Sequence, residues 1–119
     1  MNENIYSSVP DWVLNIYGDK EVLKKFFKLN KGKWITSKII AKHTGFNVTA
    51  TCTELREMIT RLIVEESWPI VSGNKGYKLT GNPDKLEKYR QKLIGRLKGL
   101  KRRIRGVKRA KERLHGGFF

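Results

Sequence analysis

From Trp34 to Thr80 the chain reads WITSKIIAKHTGFNVTATCTELREMITRLIVEESWPIVSGNKGYKLT. A short helix is expected from about Ser37 to His43, with Ile39, Ile40 and Ala41 turned inward beneath Lys38 and Lys42. Gly45 follows as a residue able to take positive φ just past the last turn. A second helix is expected to open at Thr51. The run Thr51-Cys52-Thr53-Glu54 has the spacing at which a hydroxyl and a carboxylate satisfy two otherwise open amides. Leu55, Met58, Ile59 and Leu62 fall three or four apart and should be buried, which leaves Thr53, Arg56, Glu57 and Thr60 facing outward. Two strand-like runs, Pro69 to Ser72 and Tyr77 to Leu79, flank Gly73-Asn74-Lys75-Gly76 and predict a tight hairpin.

Upstream, Asp19 is expected to cap a helix in which Val22, Leu23, Phe26, Phe27 and Leu29 form an apolar stripe against Lys20, Lys24, Lys25 and Lys28. Asn30-Lys31-Gly32-Lys33 ends it, and Trp34-Ile35 reads as a short strand able to join the hairpin. Residues 1–18 form an N-terminal extension with a short capped helix closed by Gly18. Its phrase Val9-Pro10-Asp11-Trp12-Val13-Leu14 resembles the openings of phage replication-initiator proteins. The extension reads as an extra helix packed on the domain or as an oligomer contact.

Downstream, Gly81-Asn82-Pro83 marks a boundary, with proline suited to the first position of a helix. Residues 83–119 carry fourteen Lys and Arg against three Asp and Glu, +11, whereas residues 1–82 carry twelve against eight, +4. The expected division is therefore an extension over 1–18, a folded domain over 19–82, a basic helix over 83–115 and a tail over 116–119. Within the basic helix Leu86, Leu93, Leu100, Val107 and Leu114 recur every seventh residue, and Arg90, Leu97, Ile104 and Lys111 occupy the alternate seam positions. In a parallel homodimer Arg96 would face Lys101 of a second copy and Arg103 would face Lys108, so the flanking rails repel. Gly95, Gly99 and Gly106 each cost about 1 kcal/mol relative to alanine.

A net charge of +15 and a pI near 10.2 point to a polyanionic partner, nucleic acid first and an anionic membrane second. One cysteine, Cys52, forms no intramolecular disulfide and reads as a small apolar filler. Two histidines supply no zinc spacing, so neither metal nor cofactor is expected. Gly73-Asn74-Lys75-Gly76 lacks the phosphate-loop spacing, His43 sits at a helix end, and Glu65-Glu66 diverge on a helix. No catalytic constellation is expected. No signal peptide, membrane-spanning run or lipidation motif stands out, and the expected place is the bacterial cytoplasm in association with the nucleoid.

Ile39-Ile40-Ala41 before Gly45, the Leu55, Ile59, Leu62 spacing, and Pro69-Ile70 followed by Lys75-Gly76-Tyr77-Lys78-Leu79 resemble the winged helix-turn-helix family typified by the biotin-operon repressor's DNA-binding domain and related phage and bacterial regulators. The resemblance covers roughly residues 20 to 80. The stretch between Gly45 and the second helix is longer than the family's usual turn, and Glu57 stands where those relatives generally have a basic residue. The expected fold is mainly α with a small β-wing: a winged helix-turn-helix plus a long basic C-terminal helix.

The function expected from these readings is sequence-specific binding of double-stranded DNA, as a phage or bacterial transcriptional regulator or a replication-control factor. The second helix would present Thr53, Arg56, Glu57 and Thr60 to base edges. Arg56 would fork onto guanine and Glu57 would accept from cytosine N4, contacts worth about 1–3 kcal/mol of discrimination. Thr49 and Thr51 stand near phosphate oxygens, Lys38 lies on the exposed side of the first helix, and Asn74, Lys75 and Lys78 reach the neighbouring backbone or minor groove. On the basic helix Arg96, Lys101, Arg102, Arg103, Arg105, Lys108 and Arg109 would neutralise phosphates. Leu86, Leu93, Leu97, Leu100, Ile104 and Val107 would make a homodimer seam. A solubilising helix, a membrane-surface helix and an RNA arm are the other uses of that basic half. The alternative reading is a protein-interaction adaptor, a phage protein that captures a host factor through the winged domain or the C-terminal helix.

Overall fold

The computed structural model describes residues 6–16, 18–46, 48–49 and 52–117. It is mainly helical, with a two-stranded antiparallel sheet and a long C-terminal helix. In chain order the elements are α1 (Asp11–Ile16), α2 (Asp19–Leu29), α3 (Ser37–Thr44), α4 (Thr53–Glu66), β1 (Ile70–Gly73), β2 (Gly76–Leu79) and α5 (Pro83–His115). The chain divides into two compact units, Met1–Leu86 and Glu87–Phe119, so the first turn of α5 belongs with the folded domain.

In the first unit, apolar spacing on three helices converges on one core. Val22, Leu23, Phe26 and Phe27 of α2, Ile40 and Ala41 of α3, and Leu55, Ile59 and Leu62 of α4 are buried. Val9, Val13, Ile35, Cys52, Ile70 and Leu79 join them. Burial of side chains this size contributes about 1.5–3 kcal/mol each against exposure, which is why α3, only eight residues long, is stable here and would not be alone. Leu29 departs from the expectation: it is 53% exposed, because in the last turn of α2 it falls beyond the edge of the buried stripe.

The helix ends carry most of the local corrections. Asp19 is the first residue of α2 rather than its cap; Gly18 holds the cap position and makes no side-chain bond. Asp19 and Glu21 instead place negative charge in the first turn, where the helix dipole favours it. Thr36 caps α3 by accepting from the Ile39 N–H, and Gly45 closes it in the left-handed conformation at φ 82°. α4 opens two residues after Thr51, where the sequence predicts its start. It begins at Thr53, behind Cys52 at φ 48°, and Thr51 lies outside the described residues. The Thr49 hydroxyl does part of the expected work, accepting from the Cys52 N–H at 2.9 Å, while the Cys52 carbonyl accepts from Arg56.

At the other end of α2, Asn30 is 1% exposed and fully engaged. Its Oδ1 accepts from the Ser7 N–H, and its Nδ2 donates to the carbonyls of Ser7 and Phe26, all at 2.9 Å. This one amide ties the N-terminal extension to the core. β1 and β2 pair Ile70 with Leu79, Val71 with Lys78, Ser72 with Tyr77 and Gly73 with Gly76, leaving Asn74-Lys75 as the turn. Ile35 adds a single antiparallel bridge to Tyr77, with both hydrogen bonds at 2.8 Å. Trp34-Ile35 is thus one bridge and not a full third strand.

The second unit is the helix beyond Leu86. Its side chains are largely exposed, and Glu87 accepts from Arg90 at 3.1 Å and from Gln91 at 2.9 Å. Both interactions hold the Glu87 carboxyl below the usual carboxylate range, Gln91 being the larger cause. No helix among the described residues is long and apolar enough to cross a membrane.

Candidate nucleic-acid interface

The outward side of α4 follows from its core spacing. With Leu55, Ile59 and Leu62 buried, the residues half a turn away, Thr53, Arg56, Glu57 and Thr60, are exposed, as the sequence predicts. Together with Arg61 they line a shallow depression of about 440 Å³. The Thr60 hydroxyl donates to the Arg56 carbonyl at 3.0 Å, which ties it to its own helix. Val64, one turn further on, is 73% exposed on the same side.

Arg56 also lines a second, more polar concavity of about 320 Å³ with Thr36 and Ser37 at the start of α3 and Ser72, Gly73, Asn74, Gly76 and Tyr77 of the hairpin. The side of α4, the N-terminus of α3 and the hairpin turn therefore meet at Arg56. An α3 N-terminus presents open amides and the positive end of a helix dipole, so a phosphate is the kind of group such a junction attracts. Asn74, which lines it, is exposed, as are Lys38 and Lys75, each next in sequence to a lining residue. Thr49 is exposed too, and a hydroxyl that accepts from the Cys52 amide still has its proton to donate.

Lys78 is a correction. Only 7% exposed, it lies with its Nζ 4.7 Å from the centre of the Trp34 ring, so its ammonium is not offered at the outer surface of the hairpin. Strand alternation explains this: Lys78 pairs across from buried Val71, on the side of the hairpin where Trp34 also packs against Gly73. Burial and the neighbouring Lys85 and Lys75 ammonium groups push the Lys78 pKa down.

Sequence reasoning missed Thr36, Ser37, Arg61 and Val64. Arg61 and Val64 were legible as continuations of the Thr53, Glu57, Thr60 spacing. Thr36 was legible as a cap residue before an apolar run. Their convergence with the hairpin was not.

In the second unit Arg96, Lys101, Arg102, Arg103, Arg105, Lys108 and Arg109 are all exposed. Lys98, Lys101, Arg102 and Arg105 surround the open helix surface at Gly95. Leu93, Leu97, Leu100, Ile104 and Val107 are exposed on another side of the same helix, and Leu86 is half-buried in the first unit.

His43 is engaged structurally: its ring stacks on Phe26 with centroids 5.6 Å apart, and its Nδ1 lies 2.6 Å from the Ser8 hydroxyl. No group of His, Cys, Asp and Glu among the described residues is arranged to hold a metal ion. Glu66, at the last turn of α4, pairs with Lys20 at 2.6 Å and with Lys24. Its carboxyl is held below the usual range, by Lys20 first and Lys24 second. Comparison with protein-family models, with curated proteins and with solved structures finds no match to this chain.

Proposed function

We propose that this chain is a sequence-specific double-stranded DNA-binding protein of winged helix-turn-helix form, acting in the bacterial cytoplasm as a phage or bacterial transcriptional regulator or replication-control factor. In this reading α3 and α4 are the helix-turn-helix, α4 lies in the major groove and the β1–β2 hairpin is the wing. The observation that carries it is the position of Arg56, shared between the exposed side of α4 and the concavity formed with the α3 N-terminus and the hairpin turn. Thr53, Arg56, Glu57 and Thr60 then face base edges, Val64 is placed for a thymine methyl, and Thr49, Lys38, Asn74 and Lys75 serve the flanking phosphates. Cations of α5 add sequence-independent affinity, in keeping with the concentration of +11 of the net +15 in residues 83–119.

The test is selection of a preferred duplex by the full chain, followed by anisotropy titrations across a salt series. Arg56→Ala is expected to weaken the preferred duplex by about 1–3 kcal/mol and relax preference at one base pair. Replacing Lys98, Arg102 and Arg105 with Gln is expected to weaken all duplexes alike and lower the salt slope by about 0.9 for each phosphate no longer neutralised. A full chain with no duplex affinity at low salt, or an Arg56→Ala variant with unchanged preference, refutes the reading.

A further inference from the structure

We infer that the leucine side of α5 pairs with an acidic amphipathic helix of another protein, not with a second copy of this chain. The inference is independent of the DNA-binding reading. The starting observation is an apolar seam left in solvent: Leu93, Leu97, Leu100, Ile104 and Val107 are between 43% and 66% exposed along one side of a continuous helix. Leucine or valine recurs at every seventh residue from Leu86 to Leu114, a strict repeat of the kind that keeps a seam facing a partner helix through a supercoil.

What that partner must be follows from the charges beside the seam. Arg96 and Arg103 border it on one side, Lys101 and Lys108 on the other, and all four are exposed. A parallel second copy sets Arg96 against Lys101 and Arg103 against Lys108. An antiparallel copy sets each basic border against itself. Arg90 and Lys111 stand within the seam, three heptads apart, and in a parallel pair each would meet its own counterpart. A second copy therefore covers the leucines and leaves the cations repelling.

DNA does the reverse, because phosphates neutralise the cations and leave the leucines in water. A helix with its own apolar seam, Asp or Glu on both borders, and a carboxylate opposite Arg90 and Lys111 satisfies both requirements. An anionic bilayer also offers charge and apolar contact. A seven-residue repeat, however, drifts by about 20° per heptad on a straight helix, and the seam contains two cations, so this side is poorly matched to lying flat on lipid. Lys98, Arg102 and Arg105 lie away from the seam and remain open to phosphate while it is occupied.

The experiment uses the full chain at physiological salt without DNA. Sedimentation equilibrium is expected to show a monomer. A synthetic peptide matching the 33 residues of α5 in length, with Leu and Ile in its seam, Glu on both borders and Glu opposite Arg90 and Lys111, is expected to form a 1:1 complex. The complex should show added helix signal and an affinity that falls as salt rises. The same peptide with Lys borders is expected to bind at least about tenfold more weakly.

The double variant Arg96→Glu, Arg103→Glu should lose at least about tenfold in peptide affinity and should dimerise by itself, because its new carboxylates would face Lys101 and Lys108 of a second copy. A discrete dimer with increased helix signal and a single cooperative melt separates this gain from misfolding, which gives heterogeneous aggregates. A wild-type chain that is already dimeric overturns the inference. So does an acidic peptide that binds no better than the Lys-bordered control, or recruitment to phosphatidylglycerol vesicles with no peptide binding.

Discussion

Replacing Gly76 with alanine should detach the hairpin from the strand-like segment at Ile35. Gly76 has φ +105°, and a β-carbon there would lie 2.1 Å from the Ile35 carbonyl oxygen, 2.6 Å from its carbonyl carbon and 2.7 Å from the Thr36 Cα. All three are backbone atoms, so no side-chain rotation relieves the clash. The hairpin must draw back, and the two 2.8 Å bonds between Ile35 and Tyr77 are the first to break. Holding alanine at such a φ costs about 1–3 kcal/mol, and breaking two hydrogen bonds costs about 0.5–1.5 kcal/mol each. Together that is about 2–6 kcal/mol. At about 4–8 °C per kcal/mol for a domain of this size, the midpoint should drop by at least about 8 °C.

Thermal melts followed by tryptophan fluorescence, with urea midpoints as a second measure, would read this. Gly73→Ala is the control: its β-carbon would meet the Trp34 ring at 3.4 Å, an ordinary contact, and its φ is not positive, so the expected change is within about 0.5 kcal/mol. Equal midpoints for Gly76→Ala and wild type, or equal destabilisation by both glycine variants, would refute the reasoning. Because Gly76 and Thr36 also border the Arg56 concavity, the duplex affinity of Gly76→Ala measured well below its midpoint should fall too.

Other perturbations separate the remaining contributions. Asn30→Ala leaves the Ser7 N–H and carbonyl without their partners, at about 1–3 kcal/mol for each group that stays buried, and limited proteolysis should then cut sooner near residues 6–16. Glu66 has its pKa depressed by Lys20 and Lys24, so its contribution to stability is complete above about pH 4.5 and is lost as pH falls through the lower folded value. Glu66→Gln should therefore flatten the midpoint-against-pH curve on that acid limb and leave the shape near neutrality alone. Gly95→Ala, Gly99→Ala and Gly106→Ala meet no atom within 4 Å; each should add about 1 kcal/mol of helix stability, seen as helix signal that persists to higher temperature. A fall in helix signal would refute this expectation.

Much of the architecture was legible because its signals are local. The period of Leu55, Ile59 and Leu62 sets both the buried and the exposed side of α4, Gly45 ends α3 because it tolerates φ 82°, and the Gly-bounded turn yields the hairpin. The charge step after Asn82 and the heptad spacing likewise exist in the linear chain. What the linear chain did not disclose depends on which atoms become neighbours. Asp19 and the Thr51 box were reasonable caps, yet Gly18 and Cys52 took those positions, and Thr49 satisfied the Cys52 amide.

Lys78 shows the same limit most clearly. A lysine beside a turn is ordinarily a solvent-facing cation, and here strand register pairs it with Val71 and lays it over Trp34, forty-four positions earlier. Asn30 looked like part of a polar helix end and became the buried tie to Ser7. By itself the sequence determined the elements, their inward sides and the division of charge, since each depends on spacing within a few turns of chain. Only the tertiary structure decided that Thr36, Arg56 and Asn74 border one concavity and that Lys78 leaves the surface, because such proximities arise from packing between residues distant in sequence.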